Sequence, residues 1–112
     1  MNKKQFYVYQ EDLIKYKSNK VPVTISNLVQ EFNERFCSAE MKRLRTENIT
    51  DFLIKQRYLY LDKDGAKRPT EKGKWLGIST QKIANENGKE YLMNMYNSRA
   101  QKYIFDNIYE II

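Results

Sequence analysis

Residues 46–65 read TENITDFLIKQRYLYLDKDG, and the change of period within this stretch decides the fold prediction. In its first half, after Thr46 as a capping residue, three apolar side chains recur at the spacing of one helix face: Ile49, Phe52 and Leu53. From residue 58 the side chains alternate as in a β-strand, and the Asp64-Gly65 pair suits a tight turn. The stretch therefore predicts an amphipathic helix that leads directly into a β-hairpin.

Two helices are predicted on the N-terminal side of this stretch. The first is a short helix within residues 11–17, which a polar run ends. After a brief extended piece at 21–23, the second helix is capped by Ser26 or Asn27 and carries an apolar face made of Leu28, Val29, Phe32 and Phe36. Residues 37–45 are then predicted to form a polar, partly helical connection to the third helix.

A short helix is predicted after the first hairpin. Thr70 can cap a helix over residues 71–76, and Gly77 can end it. We expect this helix to place Trp75 and Leu76 against the core.

A second hairpin and a final helix complete the predicted elements. The Asn87-Gly88 pair is the strongest short hairpin signal in the chain, and it joins strands over 78–83 and 89–96. The final helix is capped by Asn97 or Ser98, and its apolar side chains form one stripe: Ala100, Tyr103, Ile104, Ile108 and Ile111.

The composition limits both the size and the chemistry of the protein. A chain of 112 residues with 41% hydrophobic residues can bury one core, and residues 1–112 are predicted to form a single α+β domain. Cys37 is the only cysteine and there is no histidine, which excludes an internal disulfide, a cysteine zinc cluster and the usual general base. We therefore expect a non-enzymatic protein that needs no cofactor.

Charge and hydropathy indicate the class of partner. Lysine and arginine number 20 against 14 acidic residues, and the resulting net charge of +6 is spread evenly over the two halves of the chain. A basic surface for a polyanion must therefore be assembled by folding. The N-terminus has no apolar run of signal-peptide length and no window approaches membrane-spanning length, so we expect a soluble cytoplasmic protein without a membrane partner.

The predicted order of elements is that of a winged helix-turn-helix domain. In such a domain three N-terminal helices, with a short strand after the first, are followed by a hairpin that forms the wing. Residues 23–29 resemble the second helix of these domains, and residues 49–60 resemble the third helix running into the wing. The run RPTEKGKWLGI at 68–78 is similar to the segment after the wing in the phage antirepressor C-terminal (KilA-C) domain, and the similarity covers roughly 46–112.

The resemblance implies a domain of bacteriophages or other mobile elements that contacts DNA or another protein, in transcription or replication control. Because the third helix and the wing lie side by side in such a fold, basic residues there could contact the phosphates of double-stranded DNA. The candidate phosphate contacts are Lys42, Arg43, Arg45, Lys55, Lys67, Arg68, Lys72 and Lys74. The alternative for each of them is a solvated position that only keeps the domain soluble.

The front of the third helix would supply any contacts to bases. Asn48 could bond an adenine edge, and Thr50 could contact a thymine methyl group. Glu47 and Asp51 in the same region would repel phosphates, and they are better explained as complements of the helix dipole. These acidic residues argue against strong sequence-specific DNA binding and keep open a second function, a winged-helix module that docks a partner protein.

Three further features bear on partners and chemistry. Tyrosines interleaved with basic residues suit a protein interface or the stacking of bases: Tyr58, Tyr60, Tyr91, Tyr96, Tyr103 and Tyr109. The apolar C-terminal helix with Ile111 and Ile112 could pack across a homodimer axis as readily as against its own core. Residues 40–42 match the Glu-x-Lys fragment of metal-dependent nucleases, but no acidic partner accompanies them, so no metal site is predicted.

Overall fold

Six helices and two antiparallel hairpins make up the computed structural model, which describes residues 2–112. The α+β class predicted from the sequence is confirmed. The bounds of the elements are α1 Gln10–Lys15, α2 Ile25–Phe36, α3 Thr46–Lys55, β1 Leu59–Leu61, β2 Lys67–Pro69, α4 Glu71–Leu76, β3 Ile78–Ala84, β4 Glu90–Tyr96, α5 Ser98–Asp106 and α6 Ile108–Ile111.

The side chains that begin the helices agree in part with the predicted caps. The predictions for Thr70 before α4 and Asn97 before α5 are confirmed, since each side-chain oxygen accepts a hydrogen bond from a backbone N–H of the first turn. The cap predicted for α2 is wrong. Thr24, rather than Ser26 or Asn27, begins this helix, and its hydroxyl oxygen accepts the Asn27 N–H at 3.2 Å.

The start of α3 also differs from the prediction. Arg45 is the residue that flanks the helix, and Thr46 is already helical. The carboxamide oxygen of Asn48 accepts the Arg45 N–H at 2.9 Å. Asn48 is the third helical residue, and its side chain reaches back to the N–H of the residue that flanks the helix, so the cap predicted at Thr46 is wrong.

Both predicted hairpins form, and the second one is extended by a further contact. β1 pairs with β2 around the Asp64-Gly65 turn, and β3 pairs with β4 around Asn87-Gly88. Val23 pairs antiparallel with Tyr96, with N···O distances of 3.0 and 2.8 Å. The extended piece before α2 thus joins the second hairpin rather than the first.

An aromatic cluster lies at the centre of the core, where α2 and α5 meet the end of α1. The ring of Phe105 stacks on Tyr16 with a centroid separation of 4.3 Å. It also packs against Phe32 at 5.2 Å and Phe36 at 5.1 Å. The apolar face predicted for α2 is confirmed, since Leu28, Val29 and Phe32 are buried and Phe36 is partly buried against the same cluster.

The N-terminal segment belongs to the core, which the sequence did not indicate. Phe6 and Val8 are buried. Lys4 forms a parallel bridge with Met41, in which the Lys4 N–H donates to the Glu40 carbonyl and the Lys42 N–H donates to the Lys4 carbonyl, each at 2.7 Å. This pairing keeps residues 37–45 in a turn and an extended segment, so the predicted partly helical connection is wrong.

Trp75 is not part of the core, and its predicted placement is wrong. The side chain is 79% exposed, whereas the neighbouring Leu76 packs against the buried residues. Gly73 is the buried residue of α4. In a helix of one and a half turns only one narrow face can meet the core, and Gly73 and Leu76 occupy it.

The final helix is broken once and packs against its own chain. α5 ends at Asp106, and α6 begins after Asn107. Four side chains of the predicted stripe are buried in the core: Ala100, Ile104, Ile108 and Ile111. Most of the predicted stripe therefore packs against this chain, Ile112 is partly buried, and the homodimer contact stays a prediction. Within residues 2–112 no helix has the length and apolar character that crossing a membrane requires.

Tyr16 provides a test of the core. Its side chain is 3% exposed, and its hydroxyl has no hydrogen-bond partner among residues 2–112. We expect Tyr16→Phe to raise the free energy of unfolding by about 1 kcal/mol at pH 7, because the variant no longer buries an unpaired O–H. Urea unfolding followed by circular dichroism measures this change.

The same variant should respond differently to alkaline pH. Burial raises the pKa of Tyr16, so the folded protein loses stability as the pH rises above about 10, where the tyrosine of the unfolded chain ionises. The variant lacks this group, and its advantage should grow in that range. A Tyr16→Phe protein that is less stable than the wild type at pH 7 and also above about pH 10 would contradict the unpaired hydroxyl.

Candidate nucleic-acid interface

Three exposed cations lie immediately before α3: Lys42, Arg43 and Arg45. Their segment is attached to α2 through Asn33, whose side-chain N–H donates to the Leu44 carbonyl at 2.9 Å while its oxygen accepts the Leu44 N–H at 2.8 Å. This two-way contact satisfies a buried carboxamide and fixes Leu44 in the core. The cations on either side of Leu44 are thereby held in solvent at the N-terminal end of α3.

A second group of cations lies at the C-terminal end of α3. Lys55 is the last residue of the helix and is exposed. Lys72 of α4 donates to the Gln56 carbonyl at 2.9 Å, and its Nζ lies 4.3 Å from the centre of the Tyr58 ring. Lys72 therefore brings a charge from α4 to the end of α3.

Lys67 connects the first hairpin to the side of α3. Its Nζ donates to the Thr50 hydroxyl at 3.1 Å, and that hydroxyl donates to the Thr46 carbonyl at 3.2 Å. Thr50 is 4% exposed, so its predicted contact with a thymine methyl group is wrong. Thr50 faces β2 because the hairpin packs over this side of the helix.

The remaining predicted site residues are only partly free to bind. Asn48 is half-buried, and its carboxamide oxygen is used at the start of α3, which leaves only its NH₂ group for a ligand. Arg68 Nε lies 3.9 Å from Asp62, and Lys74 Nζ lies 3.3 Å from Glu71. The other predicted cations form no ion pair within residues 2–112: Lys42, Arg43, Arg45, Lys55, Lys67 and Lys72.

The exposed side of α3 is acidic between its two basic ends. Glu47 and Asp51 are four residues apart and both are exposed. They lie on neighbouring turns of one face. Any polyanion that approaches this face meets cations at the ends of the helix and carboxylates in its first two turns.

Sequence reasoning missed further cations that the fold adds to these two groups. Lys3 and Lys4 are exposed, and the bridge between Lys4 and Met41 brings them beside Lys42. Arg57 is exposed at the other end of α3, where it takes a φ of 68° and its carbonyl accepts the Thr70 hydroxyl at 2.7 Å. No local pattern marks the N-terminal lysines, because their position depends on a pairing across 37 residues.

The fragment that resembles a nuclease motif has no metal-binding neighbours. Glu40 and Lys42 are exposed on either side of the buried Met41. The part of the chain that the structure describes contains no group of three or more His, Cys, Asp or Glu residues arranged to hold a metal ion.

No protein-family model matches the chain, and no curated protein or solved structure is significantly similar to it. The resemblance to the KilA-C domain stays a prediction.

Proposed function

We propose that this chain is a non-enzymatic domain of winged-helix type that binds the phosphates of double-stranded DNA from both ends of α3. The observation that carries the proposal is the pair of exposed cation groups at the two ends of one helix. Within residues 2–112 the predicted cations of these groups have no carboxylate partner. Lysine and arginine in such positions bind phosphates and release condensed counterions.

The length of α3 supports this geometry. The helix has 10 residues and therefore spans about 15 Å, whereas the major groove of B-DNA is about 12 Å wide. Cations at both ends of a helix that crosses the groove can reach the phosphates at its two edges. Lys67, beside the middle of α3, would add a phosphate contact from the first hairpin. This hairpin would correspond to the wing of a winged-helix domain.

The two exposed carboxylates of α3 set the expected character of binding. Glu47 and Asp51 would face the base edges, where a carboxylate can accept a hydrogen bond only from the amino group of cytosine or adenine. Phosphate contacts position a protein on DNA without reading its sequence. We therefore expect affinity that is mainly electrostatic and sequence preference that is weak.

Binding to duplex DNA can be measured by fluorescence anisotropy of a labelled random-sequence duplex at several salt concentrations. We expect micromolar affinity that falls steeply with salt. The double variant Lys42→Glu and Arg43→Glu should bind about tenfold more weakly or worse, with a salt slope reduced by about two, since two phosphate contacts are lost. The variant Asp51→Asn should bind more tightly, because it removes a negative charge from the contact face.

The matched control reverses two exposed charges on the second hairpin, Lys82→Glu and Lys89→Glu. It changes the net charge by the same amount as the site variant, and it should weaken binding much less. Equal losses in the two double variants, or no binding by the wild type at low salt, would contradict the proposed contact.

The alternative function, docking of a partner protein, is favoured by the exposed apolar side chains of the two hairpins. Tyr60 and Leu61 lie on the first hairpin, and Tyr91 and Leu92 lie on the second. Exposed aromatic and aliphatic side chains of this kind are typical of protein interfaces. This alternative predicts no binding to duplex DNA even at low salt, so the anisotropy titration separates the two functions.

A further inference from the structure

A basic groove is lined by residues that the proposed duplex contact does not use. It has a volume of about 790 Å³, and four of its lining side chains are basic: Lys17, Lys20, Arg99 and Lys102. Its other lining residues are uncharged. The carboxylate of Asp106, one turn further along α5, pairs with Lys102 at 2.5 Å, and the other three basic side chains form no ion pair within residues 2–112.

The groove is fixed in shape by contacts between α5 and the loop that follows α1. The carboxamide of Gln101, which is fully buried, accepts the Asn19 N–H at 2.8 Å and donates to the Val21 carbonyl at 3.2 Å. The hydroxyls of Ser18 and Ser98 form a hydrogen bond with each other. These contacts hold Lys17 and Lys20 of the loop beside the cations of α5, although like charges repel one another. An anion in the groove would relieve this repulsion.

Trp75 lies next to this groove. Lys74, Trp75 and Arg99 line a neighbouring depression together with Glu71, which is paired with Lys74. Arg99 lines both the depression and the groove, and its Nε donates to the Leu76 carbonyl at 3.1 Å, which fixes the guanidinium group against the end of α4. A large exposed indole thus adjoins a row of cations.

We propose that this surface binds a single-stranded nucleic acid, with phosphates along the groove and a base stacked on Trp75. We call it the Trp75–Arg99 surface, made of Lys17, Lys20, Trp75, Arg99 and Lys102. Proteins bind single strands through a basic groove that follows the backbone and aromatic side chains on which bases stack. An indole adds nothing to a contact with duplex phosphates, because the bases of a duplex stack on one another and are not accessible to it. A folded acidic protein would meet the cations but would leave the stacking surface unused.

The intrinsic fluorescence of the protein reports directly on this contact, because Trp75 is the only tryptophan. We expect an oligothymidylate of about ten nucleotides, a typical length for one single-strand site, to quench the emission as it binds at low salt. An oligoribouridylate of the same length tests whether the surface discriminates DNA from RNA, and quenching by either supports the proposal. Absence of quenching by both would overturn it.

Substitutions separate the stacking contact from the phosphate contacts. With a labelled oligonucleotide followed by anisotropy, Trp75→Ala should weaken binding by about 5- to 150-fold, and Trp75→Phe should restore most of the loss. Lys20→Glu with Arg99→Glu should weaken binding at least tenfold and reduce its salt dependence. Equal affinity of the wild type for an oligothymidylate and for an abasic strand of the same length would overturn the stacking.

The Trp75–Arg99 surface shares no residue with the proposed duplex site. The control for the single-strand titration is Lys42→Glu with Arg43→Glu, which should leave quenching of Trp75 nearly unchanged. Conversely, Trp75→Ala should leave affinity for duplex DNA nearly unchanged. If Lys42→Glu with Arg43→Glu reduces single-strand binding as much as Lys20→Glu with Arg99→Glu does, the binding is general attraction to a basic protein and the proposal fails.

Discussion

Replacing Gly73 by alanine is expected to lower the free energy of unfolding by about 3 kcal/mol or more. A Cβ on this residue would lie 2.0 Å from the Tyr58 carbonyl oxygen, which already accepts the Thr70 N–H at 3.1 Å. The clashing oxygen belongs to the backbone of Tyr58, so no side chain can rotate to make room for the new Cβ. The first turn of α4 would have to move away from β1, and urea unfolding followed by circular dichroism measures the cost.

Gly65→Ala is the matched control, since it makes the same chemical change in an open turn. Nothing lies within 4 Å of a Cβ at Gly65, whose φ is 81°. Only backbone strain opposes the alanine there, about 1–2 kcal/mol. A Gly73→Ala protein no less stable than Gly65→Ala would show that α4 can shift freely.

Because α4 carries both Lys72 and Trp75, a folded Gly73→Ala protein should also bind duplex DNA and single-stranded DNA more weakly.

The local signals in the sequence predicted most of the elements. The change from helical to alternating period near residue 58 marks the end of α3 and the start of β1, and the Asp-Gly and Asn-Gly pairs mark both hairpin turns. Thr70 and Asn97 cap the helices that they were predicted to cap. These features depend on backbone preferences over a few residues, and sequence patterns report such preferences well.

The errors occur where contacts distant in sequence decide the local structure. Residues 37–45 form a turn and an extended segment, in which Met41 pairs with Lys4, and no periodicity in the segment itself indicates this. Thr50 is buried because Lys67 and the first hairpin cover it. The prediction that Trp75 faces the core is wrong because a six-residue helix gives too little pattern to show which side faces inward.

The candidate sites also differ in whether local sequence or contacts distant in sequence assemble them. The cations beside α3 are close in sequence and could be chosen from it. The groove joins Lys17 and Lys20 to Arg99 and Lys102, and the contacts that bring these residues together span about 80 positions of the chain. Since the positive charge is spread evenly along the sequence, nothing in its distribution marked this surface.

Replacing Phe105 by alanine is expected to lower the free energy of unfolding by about 3–5 kcal/mol. The ring is fully buried and touches three other aromatic rings, so its removal loses apolar burial and leaves a cavity beside Tyr16, Phe32 and Phe36. Small domains are stable by about 5–15 kcal/mol in total, so much of the margin is removed. Urea unfolding at 25 °C measures the difference.

Two further variants test whether the loss comes from this packing. Ile14→Ala removes an aliphatic side chain that is 85% exposed and should change stability by less than about 0.5 kcal/mol. Phe105→Leu should fall between, because leucine fills part of the space. A cost below about 1 kcal/mol for Phe105→Ala would contradict a close-packed aromatic cluster.

Phe105 stacks on Tyr16, the residue before Lys17. In a Phe105→Ala protein that remains folded, we therefore expect affinity for single strands to fall more than affinity for duplex DNA. The cavity loosens the wall of the groove, while the cations at the two ends of α3 depend on other contacts, those of Asn33 with Leu44 and those of Lys72 with Gln56 and Tyr58.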